Sequence, residues 1–452
     1  MHWSHGYNTQ THYVNQFYRE TSPSWLDAVC VTQGIRPPEH NHDFRWCELG
    51  SANGFTVNLI AAAYPDSHCV GIDFMPLHYL NSESLRKDIG LKNSEFHELS
   101  FEDACDEAFE PFDYIIMHGI YSWVSEENRA QVRAFIRKFL KPGGVVYNSY
   151  NCLPGWSETA PLRYYLMAQA DSIAGSNDEK AHLGLSTMTD LADNGGKYFQ
   201  NEDVQTHLHD MKNKPINYVS QEYMNRDWTL FYVDQVLAEM DEVKLTYVGS
   251  TKFKRNHLAL NYSVMQERLI ASQPTLALQE LTKDFIDNTQ FRADVMVRGA
   301  VQMSETEQAE RLSALMFVEG REKPQSLDES GLSQDEFNKG LSEARLTPLS
   351  TAQAIAGQFN AVIRQRTLRN EPMPYVLLTA YGTGIATDKL DILLADKTVE
   401  EVLNEIEQNG TEIEDRIGRP VTTREARKEL LENYQAIRED ELAYLKGMGV
   451  YG

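Results

Sequence analysis

Between residues 44 and 147, short apolar runs alternate with longer stretches of helical period. Phe44 to Leu49, Cys69 to Ile72, Tyr114 to Met117 and Val145 to Tyr147 read as strands, with a further one at Glu95 to His97. Strands joined through helical crossovers lie parallel in one sheet, so the pattern predicts an α/β, doubly wound core. The helix before the last strand is the clearest. Val132, Phe135, Ile136, Phe139 and Leu140 recur at helical spacing and give it one apolar face. Lys141-Pro142-Gly143-Gly144 is expected to end it, because proline cannot continue the ladder and glycine takes the left-handed cap.

Charge narrows the partners. The chain has 42 basic and 66 acidic residues among 452, a net charge of -24 at pH 7. Such a surface repels polyphosphate, so no nucleic-acid partner is expected, and basic or neutral partners fit better. The five cysteines, Cys30, Cys47, Cys69, Cys105 and Cys152, have no metal-ligand spacing and are too few for a disulfide scaffold. They read as small core residues in a reducing compartment, with no metal site. No membrane span or targeting leader is evident, and a cytoplasmic location is expected.

Residues 1–39, with Tyr7, Tyr13, Phe17, Tyr18 and Trp25, are expected to form an aromatic N-terminal lid. The core domain with a helical extension is expected over 40–213. A smaller unit follows over 214–300, with Tyr223, Phe231, Val233 and Leu237 in one helical stretch and Leu245 to Val248 as a strand. Residues 301–452 are mixed and charge-rich, and are expected to form a C-terminal helical or winged-helix domain. Within them Thr398 and Glu401 make a capping box ahead of the stripe Val399, Val402, Leu403 and Ile406.

Chemistry concentrates at the expected strand ends. Glu48-Leu49-Gly50-Ser51-Ala52-Asn53-Gly54 joins the first strand to a helix, and Gly50 and Gly54 let a ligand approach the backbone. The spacing differs from the dinucleotide fingerprint, which argues against a pyrophosphate cradle. Asp73 ends the second strand, where a carboxylate accepts ribose hydroxyls, and Phe74 can flank a purine. Ser100, Glu102 and their neighbours follow the third strand and are candidates to face an adenine amino group. His118-Gly119 ends the fourth strand, where the backbone approaches the sulfur end of a cofactor. In an open parallel sheet these four ends share one crevice. Each element also has a plainer role: Asp73 as a helix cap, Ser100 to Asp103 as a helix start, and the glycine loop as a surface turn.

With these motifs in place, the sequence resembles the class I S-adenosylmethionine-dependent methyltransferases. More narrowly, it is similar to bacterial members that carry a methyltransferase regulatory domain. The resemblance rests on Tyr7 with Tyr13, Glu20-Thr21-Ser22-Pro23, the Glu48 to Gly54 loop, Phe112 to Val124, Leu140 to Gly144 and Ser149 to Trp156. It continues in Tyr218, Glu222-Tyr223-Met224, Phe231, Leu245 to Gly249 and Arg292 to Gly299, and covers the tail only loosely. It implies a Rossmann-like methyltransferase sheet with additional mixed and mainly helical C-terminal domains. It also implies S-adenosyl-L-methionine as cofactor, with S-adenosyl-L-homocysteine as product. Glu48, Gly50, Ser51, Asn53, Gly54, Asp73, Phe74, Ser100, Glu102, His118 and Gly119 would then hold the cofactor. The best-understood members methylate lysines of outer-membrane surface proteins, so the implied partner is a protein substrate carrying lysine. The chain departs from the family at Ser51 and Asn53, which replace a cysteine and a glycine, and at Ser125, which replaces a proline.

A lysine acceptor must lose a proton, and an apolar aromatic pocket selects the free amine. Tyr7, Tyr13, Tyr121, Trp123, Tyr150 and Trp156 are suitable walls, and Asn151 can accept a hydrogen bond from the amine. Aromatics are as often core residues, Asn151 can tie its own loop, and His118 fits a cofactor contact better than a base. Arg292 and Arg298 read either as a clamp on the regulatory unit or as part of a solvated face. The alternatives to protein lysine are a small-molecule or surface-glycan acceptor, and a non-catalytic cofactor-binding regulator. A homodimer is compatible with every one of these readings.

Overall fold

In a computed structural model, which describes residues 17–450 apart from Arg321, Ala395, Arg416 and Ile417, and only the backbone of Asn217 and Gln221, the first layer to form around is a seven-stranded sheet. Its strands are β1 (Arg45–Leu49), β2 (His68–Asp73), β3 (Ser94–Glu98), β4 (Phe112–Met117), β5 (Leu140–Asn151), β6 (Leu245–Ser250) and β7 (Phe291–Arg298), in the order β3-β2-β1-β4-β5-β7-β6. β1 to β5 pair in parallel, and β7 runs antiparallel between β5 and β6. The helices α1 (Pro23–Thr32), α2 (Phe55–Ala63), α3 (Pro76–Ile89), α4 (Phe101–Asp106) and α5 (Glu126–Phe139) cover its two faces.

The apolar face of α5 is buried at Val132, Phe135, Ile136 and Phe139. Its start is set by Ser125, whose hydroxyl accepts the Asn128 amide at 3.2 Å. Ser125 therefore has a local structural role as the cap of this helix. The end differs from expectation. Leu140 already belongs to β5, and Lys141 to Gly144 form an irregularity across which pairing jumps from Phe112–Leu140 to Tyr114–Val145. The proline and glycines interrupt the strand register there in addition to following the helix.

A helical extension of α6 (Ala160–Asp171), α7 (Asn177–Asp193), α8 (Glu202–Asn213) and α9 (Ile216–Tyr223) has its own core around Leu166, Met188 and Val204. The single helical stretch expected from Tyr223 to Leu237 is divided. Tyr223 ends α9, Phe231 bridges to Cys152, and α10 (Val233–Asp241) begins after it. Phe231 donates its amide to the Asn151 carbonyl at 3.2 Å and accepts from the Leu153 amide at 2.9 Å, so pairing beside β5 overrides the helical period. Residues 245–298 contribute β6 and β7 to the main sheet and do not build a separate one.

Beyond residue 300 the chain is mainly helical, with a three-stranded and a two-stranded sheet. The Thr398–Glu401 capping box forms as expected at the start of the helix Val399–Asn409. The helix Ala356–Leu368 lies against α2 and α3, with Phe359 edge-on to Phe55 at 5.8 Å and Arg366 paired to Asp88 at 2.6 Å. Cys30, Cys47, Cys69 and Cys152 are free and buried, and Cys105 is free and half-buried. Among the described residues no helix is long and apolar enough to cross a membrane.

Candidate active site

The loop after β1 is built by backbone strain placed where only small residues fit. Gly50 and Gly54 take φ of 73° and 67°, and Ala52, not Asn53, adopts the third left-handed conformation at 46°. A Cβ on Gly50 would stand 2.1 Å from Ile120 Cδ1, and one on Gly54 would stand 2.4 Å from Ser82 Oγ. The Gly50 and Ser51 amides donate to the Ile72 carbonyl at 2.8 and 3.1 Å, tying the loop to β2. Asp73 completes the tie. Its Oδ2 accepts the Ala52 amide at 2.9 Å, while Oδ1 accepts the Met75 amide at 2.9 Å and lies 3.0 Å from His78 Nδ1.

These groups open on a cavity of about 410 Å³ beside the carboxyl ends of β1, β2 and β4. Glu48, Gly50, Ser51, Asn53, Asp73, Phe74, Ser100, His118, Gly119, Trp123 and Asn151 all line it. Glu48 is buried with Oε2 unpartnered, and burial, then the Asp73 charge, push its carboxyl up to about 8. At neutral pH it holds a proton until a ligand offers a compensating group. Ser100 also caps α4, its hydroxyl accepting the Asp103 amide at 3.1 Å. Both readings of that residue are therefore compatible.

His118 is enclosed between rings. It stacks on Tyr18 with centroids 3.5 Å apart and on Tyr147 at 5.8 Å, with Nδ1 2.8 Å from the Tyr147 hydroxyl. Burial pulls its imidazole down to about 3, so it is neutral at physiological pH and a poor base. Gly119 follows at φ 63°, donating its amide to Ser149 Oγ at 2.9 Å.

Other candidates lie elsewhere. Gly54 and the exposed Glu102 are not in the cavity lining, and Leu99 and Phe101 stand there beside Ser100. Tyr121 is buried and donates its hydroxyl to Glu239. Tyr150 donates to Asp294 Oδ2 at 2.6 Å, on the sheet face opposite to Asn151, as strand alternation requires. Trp156 packs in the extension's core against His207 and Trp228, with ring centroids 5.3 and 5.2 Å away. Tyr7 and Tyr13 lie outside the described residues. The cavity also draws on Tyr18, Tyr218, Glu222, Asn225 and Phe291, none of which sits in a chemical motif. Tyr18 belongs to the aromatic N-terminal run, and the next three to the segment that carries the regulatory-domain resemblance.

Comparison with known proteins agrees with this geometry. Residues 47–146 match the methyltransferase domain family, and residues 215–298 match the predicted methyltransferase regulatory domain. An uncharacterised protein of Synechocystis sp. is 28% identical over 443 residues, covering 87% of this chain and 88% of that protein. An uncharacterised protein of Rickettsia prowazekii is 30% identical over 186 residues, covering 41% of this chain and 74% of that protein. The structure of PKMT2 from Rickettsia typhi in complex with AdoHcy has the same fold, with a TM-score of 0.73 at 18% identity over 97% of this chain and 100% of that one. The sheet order, the two family matches in tandem and the relatives together establish that the chain belongs to the class I S-adenosylmethionine-dependent methyltransferases with a regulatory domain.

Proposed function

We propose that this methyltransferase transfers methyl groups to lysine side chains of a protein. The observation that carries the reading is the aromatic part of the cavity lining. Tyr18, Trp123, Tyr218 and Phe291 belong to it, Asn151 also lines the cavity, and no Lys or Arg of the described residues does. Aromatic faces attract an ammonium group, and an anionic acceptor would meet no countercharge. PKMT2 of Rickettsia typhi, solved in complex with AdoHcy, has this fold, which supports the cofactor side of the reading.

The strand-end part of the lining suits the cofactor. The unpartnered Glu48 oxygen fits the ammonium of its methionine part, Asp73 fits its ribose hydroxyls, and Phe74 with Ser100 fits its adenine. Gly50, Ser51, Asn53 and Gly119 let the backbone come close. When bound, S-adenosylmethionine supplies an electrophilic methyl group on a sulfonium. The chain's own part is to orient the amine and exclude water, with neutral His118 and Tyr18 forming one wall. Labelled S-adenosylmethionine incubated with enzyme and fractionated cell extract tests this. Label recovered as methyl-lysine after hydrolysis is the expected result, and label confined to small molecules or glycans overturns it.

A further inference from the structure

Helix α9, from the regulatory segment, brings one more ionisable group into the cavity. The acidic side chains lining it are Glu48, Asp73 and Glu222. Asp73 is held by His78 and two backbone amides, and Glu48 ends the strand beside it. Glu222 lies apart from that pair in sequence and element, and its charge is felt by Tyr18 and Tyr218 of the aromatic part of the lining. Burial pushes the Glu222 carboxyl up, and among the described residues no ion pair or hydrogen bond to it offsets that cost. A half-buried carboxylate beside aromatic rings, in a cavity that no Lys or Arg of the described residues lines, is a receptor for a cation supplied from outside.

We propose that Glu222 receives the acceptor amine, binding the substrate ammonium beside the aromatic part of the cavity lining and taking the proton it must shed. This rests on the lysine reading above and names the group that would act on that substrate. An N–H bond of the ammonium breaks and its proton passes to a Glu222 oxygen. The freed nitrogen pair then forms the N–C bond as the methyl's C–S bond breaks, with that bond's electrons remaining on sulfur. The Glu222 acid afterwards loses its proton to water. The regulatory segment thereby completes the acceptor site, so that the catalytic sheet alone would bind cofactor without recognising the amine.

The test compares wild type with Glu222→Gln, which keeps shape and removes charge. Titration calorimetry with S-adenosylhomocysteine should give the same affinity for both. Label recovered as methyl-lysine from extract protein should fall by about 100-fold or more at pH 7, in the range of a lost acid–base group. The deficit should shrink as pH rises toward the free amine's pKa of about 10.4, where solvent already supplies deprotonated lysine. Equal rates at pH 7, a deficit unchanged between pH 7 and 9.5, or lost cofactor affinity in the variant would each overturn the assignment. If wild type binds cofactor yet places label outside lysine, the lysine reading falls first and this proposal with it.

Discussion

Gly50 meets two constraints at one atom. Its φ of 73° lies where a side chain is strained, and a Cβ would stand 2.1 Å from Ile120 Cδ1, a side chain that itself lines the cavity. Gly50→Ala must therefore distort the loop or drive Ile120 inward. If relaxing about 1–2 kcal/mol of left-handed strain displaces the loop, S-adenosylhomocysteine affinity should drop about 5- to 30-fold by calorimetry. Unchanged affinity would mean that the loop does not carry the cofactor. Glu48 gives a prediction in pH. Its carboxyl ionises near 4.5 when unfolded and near 8 in the fold, so between those values the folded chain holds the extra proton. Stability of the cofactor-free protein should fall as pH rises from about 4.5 to 8 through this group, then level off. Glu48→Gln removes that term. It should match wild type more closely at pH 5 and exceed it at pH 8 by on the order of a few kcal/mol in urea. Parallel stability curves for the two proteins would refute the assignment. Glu48, Gly50 and Asp73 are legible in sequence because they stand at the ends of two successive strands, β1 and β2. Tyr18, Glu222 and Phe291 are not, because distant segments carry them to the cavity.

Arg292 illustrates what joins elements. Buried on β7, its guanidinium reaches Asp294, Asp284 and Glu280, each at 2.9 Å. Arg255 adds a contact to Asp284 at 2.8 Å, and Lys283 one to Glu280 at 2.6 Å. The cluster ties β7 to the helices Phe253–Asn256 and Leu276–Asp287, and through the Tyr150 hydroxyl it reaches β5. Arg292 is thus a buried clamp and not part of a solvated face, whereas Arg298 donates to the Arg137 and Leu140 carbonyls. Removing one partner leaves uncompensated charge in the interior, so Arg292→Leu should cost about 3–5 kcal/mol in urea unfolding. A loss below about 1 kcal/mol would indicate that water already solvates the cluster. The same strand explains why neighbouring candidates separate: Tyr150 turns toward Asp294 and Asn151 toward the cavity. Periodicity made α5 and the helix Val399–Asn409 readable, since their buried stripes repeat locally. It could not divide the stretch around Phe231, where pairing with the β5 end decides the backbone.

The C-terminal region shares a core with the methyltransferase sheet. Trp46 of β1, Phe55 of α2, and Phe317, Phe337, Phe359 and Met448 from beyond residue 300 belong to one continuous buried cluster. That continuity was invisible in the sequence, which marks local elements but not which faces meet across three hundred residues. It has a functional consequence through Phe55. This residue opens α2 directly after Gly54 and lines the cavity, and Phe359 packs edge-on against it at 5.8 Å. The Ile355 amide also donates to the Ala62 carbonyl at 2.9 Å, fixing the other end of the same helix. Residues far from any cofactor motif therefore set the position of the cofactor helix. Phe359→Ala would open a cavity behind Phe55, costing about 3–5 kcal/mol of stability, since the site is fully buried and closely packed. If the helix shifts into that space, S-adenosylhomocysteine affinity should fall with it, by about 5- to 10-fold, or about 1 kcal/mol. Urea unfolding and calorimetry on the same variant measure both. A C-terminal region that acted as an independent domain would give a separate unfolding step and leave affinity untouched, which would remove the coupling argued here.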